Sequence, residues 1–523
     1  MRTFALALLV LFAVFVPAGA QTPQRGGTLT FAVIGEPPNY DCHANFSFAA
    51  IHFLAPHYSL LVKFDPARFP EIAGDAAESW TVSPDGRTYT FRLRENIRFH
   101  DGSPLTSRDV KASFDRVREP PQGVNSLRRT DYANIEMIEA PDPRTVVFRL
   151  KRAQPYFPAL LANPFNCLYS AELLAHDAEY PARKVMGSGP FVFGAHVRGD
   201  SWTGTRFEAY FRPGQPYLDG FRAAPVASTT IAVNTLQGGQ VLAEFRGVAP
   251  PVRDRLREAM GDRIAIQESV WALSVVLAFN AQKPPFDDPR VRRALSLAID
   301  RHTGAAALQR TVSLRQVGAT QRPGSPFAAS DAELRALPGY GADIAASRAE
   351  ARRLLAAAGQ SNLRFTLLNR NVADPYTALG VFLIDQWRQI GVTVEQNLAE
   401  VAAYTQAMNA GNYDAIVDFS NAMIDDPEVE LQRYLSFDRA STNTGRYTDR
   451  ELDALYDRLT AVSDPAQRRA ITRQFEARLF EQAYAFPVLW FHRIAATSAR
   501  VQGWRITPSH LLNQDLAEVW LRP

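Results

Sequence analysis

The sequence predicts an α/β protein built of more than one lobe. Three observations carry this. The chain has 523 residues, too many for one ordinary domain. Its second half alternates short apolar strands with amphipathic helices, the pattern of parallel strands joined by right-handed crossovers. No internal repeat or low-complexity linker interrupts it, so the lobes are expected to join through short ordered crossovers.

Composition narrows the class. With 46% hydrophobic and 21% charged residues, the chain can bury large cores and stay soluble. Lys and Arg number 57 against 54 Asp and Glu, a net charge of +3. So even a balance argues against a nucleic-acid partner, which would show a basic stripe.

Residues 4–16 form an apolar run behind Arg2, followed by Pro17 and then Ala18-Gly19-Ala20. That is the layout of a secretory signal peptide over residues 1–20, with cleavage before Gln21. The run is short for a membrane span, and no Cys follows it to take a lipid. The expected product is periplasmic and not a lipoprotein. There an oxidising environment allows Cys42 and Cys167 to form a disulfide, the alternative being two separate buried thiols.

The elements follow in order. Thr28 to Ile34 reads as a strand that stops at Gly35-Glu36-Pro37-Pro38. Arg87 to Arg94 puts Tyr89, Phe91 and Leu93 on one face, after a Pro84-Asp85-Gly86 turn. Thr145 to Leu150 repeats that design. Between them, "RFHDGSPLTSRDV" (98–110) gathers His100, Asp101 and two serines, a group that resembles an active site. Local rules explain it without chemistry: Asp101-Gly102 makes a turn, and Thr106 with Asp109 makes a capping box for a helix carrying Val110, Phe114 and Val117.

In the second half, Asp288-Pro289 opens a helix. Capping boxes are expected at Ser347 with Glu350 and at Thr448 with Glu451, and Asp464-Pro465 with Gln467 opens another helix. Strands are expected at Leu363 to Asn369, Val392 to Gln396 and Tyr413 to Phe419, with helices between them. In open α/β sheets a ligand sits beyond the carboxyl ends of the strands. Those ends supply the candidate ligand-binding residues: Glu36, Asn39, Tyr40 and His43 after the first strand, Arg370 and Asn371 after another, and Asn421, Met423, Asp425 and Asp426 after a third. Arg370 suits a bidentate carboxylate or phosphate, its alternative role being a surface ion pair. Asp425 and Asp426 suit a cationic or hydroxylated group. Trp271 and Trp490 can stack on a ligand or pack in the core.

Several stretches together resemble the family 5 extracellular solute-binding proteins, the peptide- and nickel-type receptors of ABC importers. They are "GGTLTFAV" (26–33), "AESWTVSPDGRTYTFRLRENIRFHDGSPLTSRDVKASFDRV" (77–117), "GSGPFVF" (187–193), "NAQKPPFDDPRVRRALSLAIDR" (280–301), "ASRAEARRLLAAAG" (346–359) and "GRYTDRELDALYDR" (445–458). The resemblance implies a two-lobed periplasmic binding protein type II fold with an extra subdomain in the first lobe. Lobe I would comprise residues 21–57, 186–275 and 490–523, the inserted subdomain 58–185, and lobe II 276–489. A monomer would enclose a peptide or other small polar solute and pass it to a membrane ABC permease, without a cofactor. Peptide receptors of this family carry an Asp shortly before the Asp-Pro of the third-strand loop, where it pairs with the peptide's amino terminus. Here Met423 stands there, or Ala422 if the loop shifts by one. An apolar side chain cannot neutralise a buried ammonium.

Two other readings compete. A nickel or metal-chelate receptor of the same fold would draw on His43, His52 and His57, though no matched ligand set is visible. A secreted hydrolase would need a constellation that is missing: there is no G-x-S-x-G and no H-E-x-x-H. Gly187-Ser188-Gly189-Pro190 reads more simply as a tight crossing.

Overall fold

The computed structural model describes residues 22–421 and 423–523. The expected signal peptide and Ala422 lie outside the described residues. An eleven-stranded mixed sheet runs through the molecule. Its main path is Thr393–Ala399, Arg364–Arg370, Ala415–Asn421, Ile264–Phe279, Ala485–Ser498, Ala243–Glu244, Thr28–Ile34, Gly220–Val226, Ser201–Arg206 and Phe191–Val197, with Leu314–Gln316 pairing onto Ala485–Ser498. Strand Arg364–Arg370 is parallel to both its neighbours, as the helical crossovers require.

Ile264–Phe279 and Ala485–Ser498 run antiparallel to each other through both halves. Their register breaks between Val270 and Ser274, an irregularity that bends the pair where one core gives way to the next. On one side of it lie Ile264, Ile494 and Ala496 with the first strand's Ala32; on the other lie Val275, Leu277, Phe486 and Leu489.

A separate four-stranded antiparallel sheet holds Ala77–Val82, Thr88–Leu93, Thr145–Leu150 and Ile135–Asp142. Tyr89, Phe91 and Leu93 are buried on its inner face. Helix Ser107–Arg118 covers that face, with the Phe114 and Phe148 rings 5.3 Å apart, and burying such a ring contributes roughly 1.5–3 kcal/mol. The Thr106–Asp109 capping box is formed, with the Thr106 N–H donating to Asp109 Oδ2 at 2.7 Å. His100 points inward: its Nε2 bonds the Gly189 carbonyl at 3.0 Å and its ring lies 4.9 Å from Phe207. Gly187 and Gly189 permit this crossing, because a Cβ there would stand 2.1 and 2.5 Å from the His57 backbone.

Two helix starts differ from expectation. The helix with Ser347 begins earlier, at Ile344, because Asp343 accepts from Ala346 N and outcompetes Ser347, whose Oγ donates back to the Asp343 carbonyl. At Arg450–Thr460 the cap is Asp449 rather than Thr448; its carboxylate accepts from Glu451 N and Leu452 N.

Cys42 and Cys167 are bonded, with their Cα atoms 6.0 Å apart, joining the loop after the first strand to the segment between helices Phe157–Leu161 and Ala171–His176. Around them Asp41 and Arg116 form a buried ion pair at 2.6 Å. Among the described residues no helix is long and apolar enough to cross a membrane.

Candidate ligand site at the strand crossover

The bend in the crossing strands sets Trp271 at the junction of the two halves. From it an arc of rings extends both ways. Towards the first half, Trp271 Nε1 donates to His510 Nδ1 at 3.1 Å, the His510 ring lies 5.8 Å from Phe48 at a 60° tilt, and the Arg246 guanidinium lies 4.2 Å over the Phe48 ring. Towards the second half, Trp271 meets Phe491 at 5.9 Å and Phe491 meets Tyr376 at 6.4 Å. There the Arg370 guanidinium sits 4.8 Å from the Tyr376 ring and 4.9 Å from Phe419. Beside the Trp271 indole, Gly247 takes φ +152°, a backbone conformation that L side chains rarely adopt.

Local folding explains each placement. Arg370 ends its strand beside Asp418, which accepts from Arg370 at 2.9 Å and from Arg433 at 3.0 Å. Arg246 follows the short strand Ala243–Glu244; its N–H and that of Gly247 donate to the Glu244 carboxylate at 3.0 and 2.8 Å. Burial nevertheless pushes Glu244 up to about 7, against the pull of those two bonds. Phe48 opens a helix capped by Ser47. Burial holds His52 down to about 4 and His510 well below the ordinary imidazole value, so both are neutral at pH 7.

A cavity of about 690 Å³ is lined by Asn134, Lys151, Arg152 and Tyr156 together with Asn421, Met423 and Tyr456 from the chain after Ala415–Asn421. Met423 and Ile424 pack against the core of the first half. The position expected for an amine-binding carboxylate is therefore an apolar contact with that core.

The structure separates the residues that the strand-end rule grouped. Trp271 and Arg370 share the arc, while Asn421 and Met423 line the cavity. Asn371 is exposed and bonds Glu400 at 2.8 Å. Asp425 and Asp426 are corrected: Asp425 is bidentate to buried Arg322, one bond at 2.9 Å, and Asp426 caps helix Pro427–Leu431 while pairing with Arg468. Both side chains are buried and held by structural ion pairs. Trp490 is also corrected; it is 0% exposed, and its Nε1 donates to the Ala319 carbonyl at 3.1 Å.

The first-strand group turns away from this site. Glu36 and Tyr40 clamp His196, within strand Phe191–Val197, from either side at 3.1 and 2.8 Å. Asn39 accepts from Asp41 N and Asn45 Nδ2 within its own turn. His43 is fully buried, its ring spent on Arg116 and the Cys167 carbonyl, and burial drives it down to about 3. His52 bonds the His510 carbonyl and His57 the Phe191 carbonyl, so these three histidines do not converge. Ser188 is 0% exposed, its hydroxyl facing inward without a base.

Arg246, Phe48, Tyr376, Phe419 and His510 were missed. Tyr376 and Phe419 lie within or beside strand-end segments already singled out; Arg246, Phe48 and His510 carry no local signal.

Comparison with known proteins bears on this arrangement. Residues 71–442 match the family model described as bacterial extracellular solute-binding proteins, family 5 Middle. The glutathione-binding protein GsiB of Escherichia coli K12 is 27% identical over 455 residues, 83% of each chain. Among solved structures, the periplasmic binding protein AgaA of A. tumefaciens R10, in complex with agropinic acid, aligns with a TM-score of 0.76 and 26% identity over 95% of this chain and 99% of that one. The Listeria monocytogenes substrate-binding protein CtaP reaches a TM-score of 0.83 at 22% identity, covering 95% and 100%.

Proposed function

Because the chain belongs to the family 5 bacterial extracellular solute-binding proteins, and so is a solute receptor for ABC import, we propose that it holds its ligand on the aromatic arc at the strand crossover. It works as a monomer in the periplasm, closes around the solute without bond-making, and hands it to a membrane permease. One observation carries this reading: rings and guanidinium groups from both halves gather beside the register break at Val270–Ser274. A solute touching both sides stabilises the closed form by its differential contacts, which is what couples capture to shape. Glutathione and agropinic acid are the ligands named for two of the relatives. Inward-facing Ser188 and the structural bond of His100 to the Gly189 carbonyl favour binding over hydrolysis.

Isothermal calorimetry against peptides, opines and organic acids, with small-angle scattering of each complex, tests it. Binding should come with a smaller radius of gyration, and Trp271→Ala should weaken it. Turnover of a bound solute by pure protein, or binding indifferent to Trp271, would discard the reading.

A further inference from the structure

Both ends of the arc carry positive charge with bonding capacity left over. Arg246 has no carboxylate partner within ion-pairing distance among the described residues, and its Nε is buried without a hydrogen bond. Glu244 is close in sequence, yet it spends its oxygens on backbone N–H groups. At the other end Arg370 is nine-tenths buried; its Nη2 bonds Asp418, while Nη1 has no partner. Asp418 is shared with Arg433, so two guanidinium groups face one carboxylate. Behind Arg246 the buried guanidinium of Arg493 bonds only to carbonyls, those of Phe245, Arg246, Thr507 and Ser509. Neighbouring His52 and His510 accept hydrogen bonds or donate them without adding charge.

Buried guanidinium N–H groups left unmatched cost free energy that an anion recovers. A solute lying on the rings would present acidic oxygen to both ends. We infer that Arg246 is an anion-binding residue of the proposed site on the arc, acting from the first half opposite Arg370 in the second, and that the transported solute is acidic. The inference rests on the proposed site. It adds the charge of the ligand and a residue from the lobe opposite Arg370. It also gives closure a driving force, because one anionic ligand neutralises cations on both sides of the bend at once.

Three compounds sharing one ring separate the alternatives by calorimetry on the intact protein: benzoate, benzamide and benzylammonium. Benzoate should bind saturably and the other two at least about tenfold more weakly. Arg246→Gln should lose about tenfold or more of the benzoate affinity, Arg246→Lys should recover part of it, and both should melt with the parent protein. Equal or tighter binding of benzamide or benzylammonium overturns the acidic-solute inference and leaves the arc standing as the binding site. Full benzoate affinity in Arg246→Gln removes Arg246 from the site. No binding of any ring compound overturns both the inference and the site.

Discussion

Arg152, just after strand Thr145–Leu150, pairs with Glu428 of helix Pro427–Leu431. Arg152 donates to a carboxylate that is almost wholly buried, and the Tyr156 hydroxyl adds a bond at 3.2 Å. Both partners line the 690 Å³ cavity, and in the proposed clamp their contact holds the closed form. Truncating Arg152 leaves Glu428 buried with one hydroxyl donor, a cost of roughly 1–3 kcal/mol borne by the closed form. Arg152→Ala should enlarge the radius of gyration and weaken ligand affinity by about tenfold, through the smaller closed fraction. Unchanged scattering and affinity would make the contact a bystander.

Asp425 should matter for folding rather than for recognition. Its bidentate bonds to Arg322 are buried on both sides, and breaking such a pair costs about 3–5 kcal/mol because the remaining charge is stranded. Urea denaturation of Asp425→Ala should show a markedly lower midpoint. A normal midpoint with lost ligand affinity would return Asp425 to the site.

Glu430 makes stability fall as pH rises. Burial pushes its carboxyl up to about 8, against the bond from Ser420 Oγ at 3.1 Å. Between about 4.5 and about 8 the native state keeps a proton that the unfolded state has released. Stability from this group is therefore complete below pH 4.5 and declines through that window, by at most about 1.4 kcal/mol per pH unit. Glu430→Gln should be more stable relative to the parent at pH 8 than at pH 5. Parallel pH profiles for the two proteins would rule out a buried neutral carboxyl.

Opening the disulfide should loosen the first half. The bond closes a loop spanning 125 positions, and constraining such a loop contributes roughly 2–5 kcal/mol. The Cys42→Ser/Cys167→Ser protein should denature at lower urea than the parent while keeping its far-ultraviolet dichroism. An identical midpoint would show that the buried Asp41–Arg116 pair alone fixes this corner.

The fold was legible wherever local chemistry decides. Capping at Thr106, Asp288 and Asp464 and the parallel strand pairs follow from short-range patterns. The shifts at Ser347 and Thr448 arose where an Asp one or several residues away caps more effectively. The site was half legible. Arg370 and Trp271 lie where strand ends and crossovers are readable, whereas Arg246 and Phe48 reach the arc only through long-range packing. Trp490 was ambiguous for a physical reason: nearly every residue of Ala485–Ser498 is buried, so there is no alternation to separate core from cleft. His43 looked available because a strand end is normally open, and the disulfide beside it closes that loop inward.

The two halves are joined by paired strands, Ile264–Phe279 and Ala485–Ser498, rather than by slack chain. Hydrogen-bonded ribbons resist stretching and sliding, so the halves are left with little more than one bending and twisting coordinate. Docking them on a solute then surrenders few rigid-body degrees of freedom. A clasp of this kind can bind tightly with few contacts, and swapping the ribbon for a flexible tether should slow closure even with every ligand contact retained.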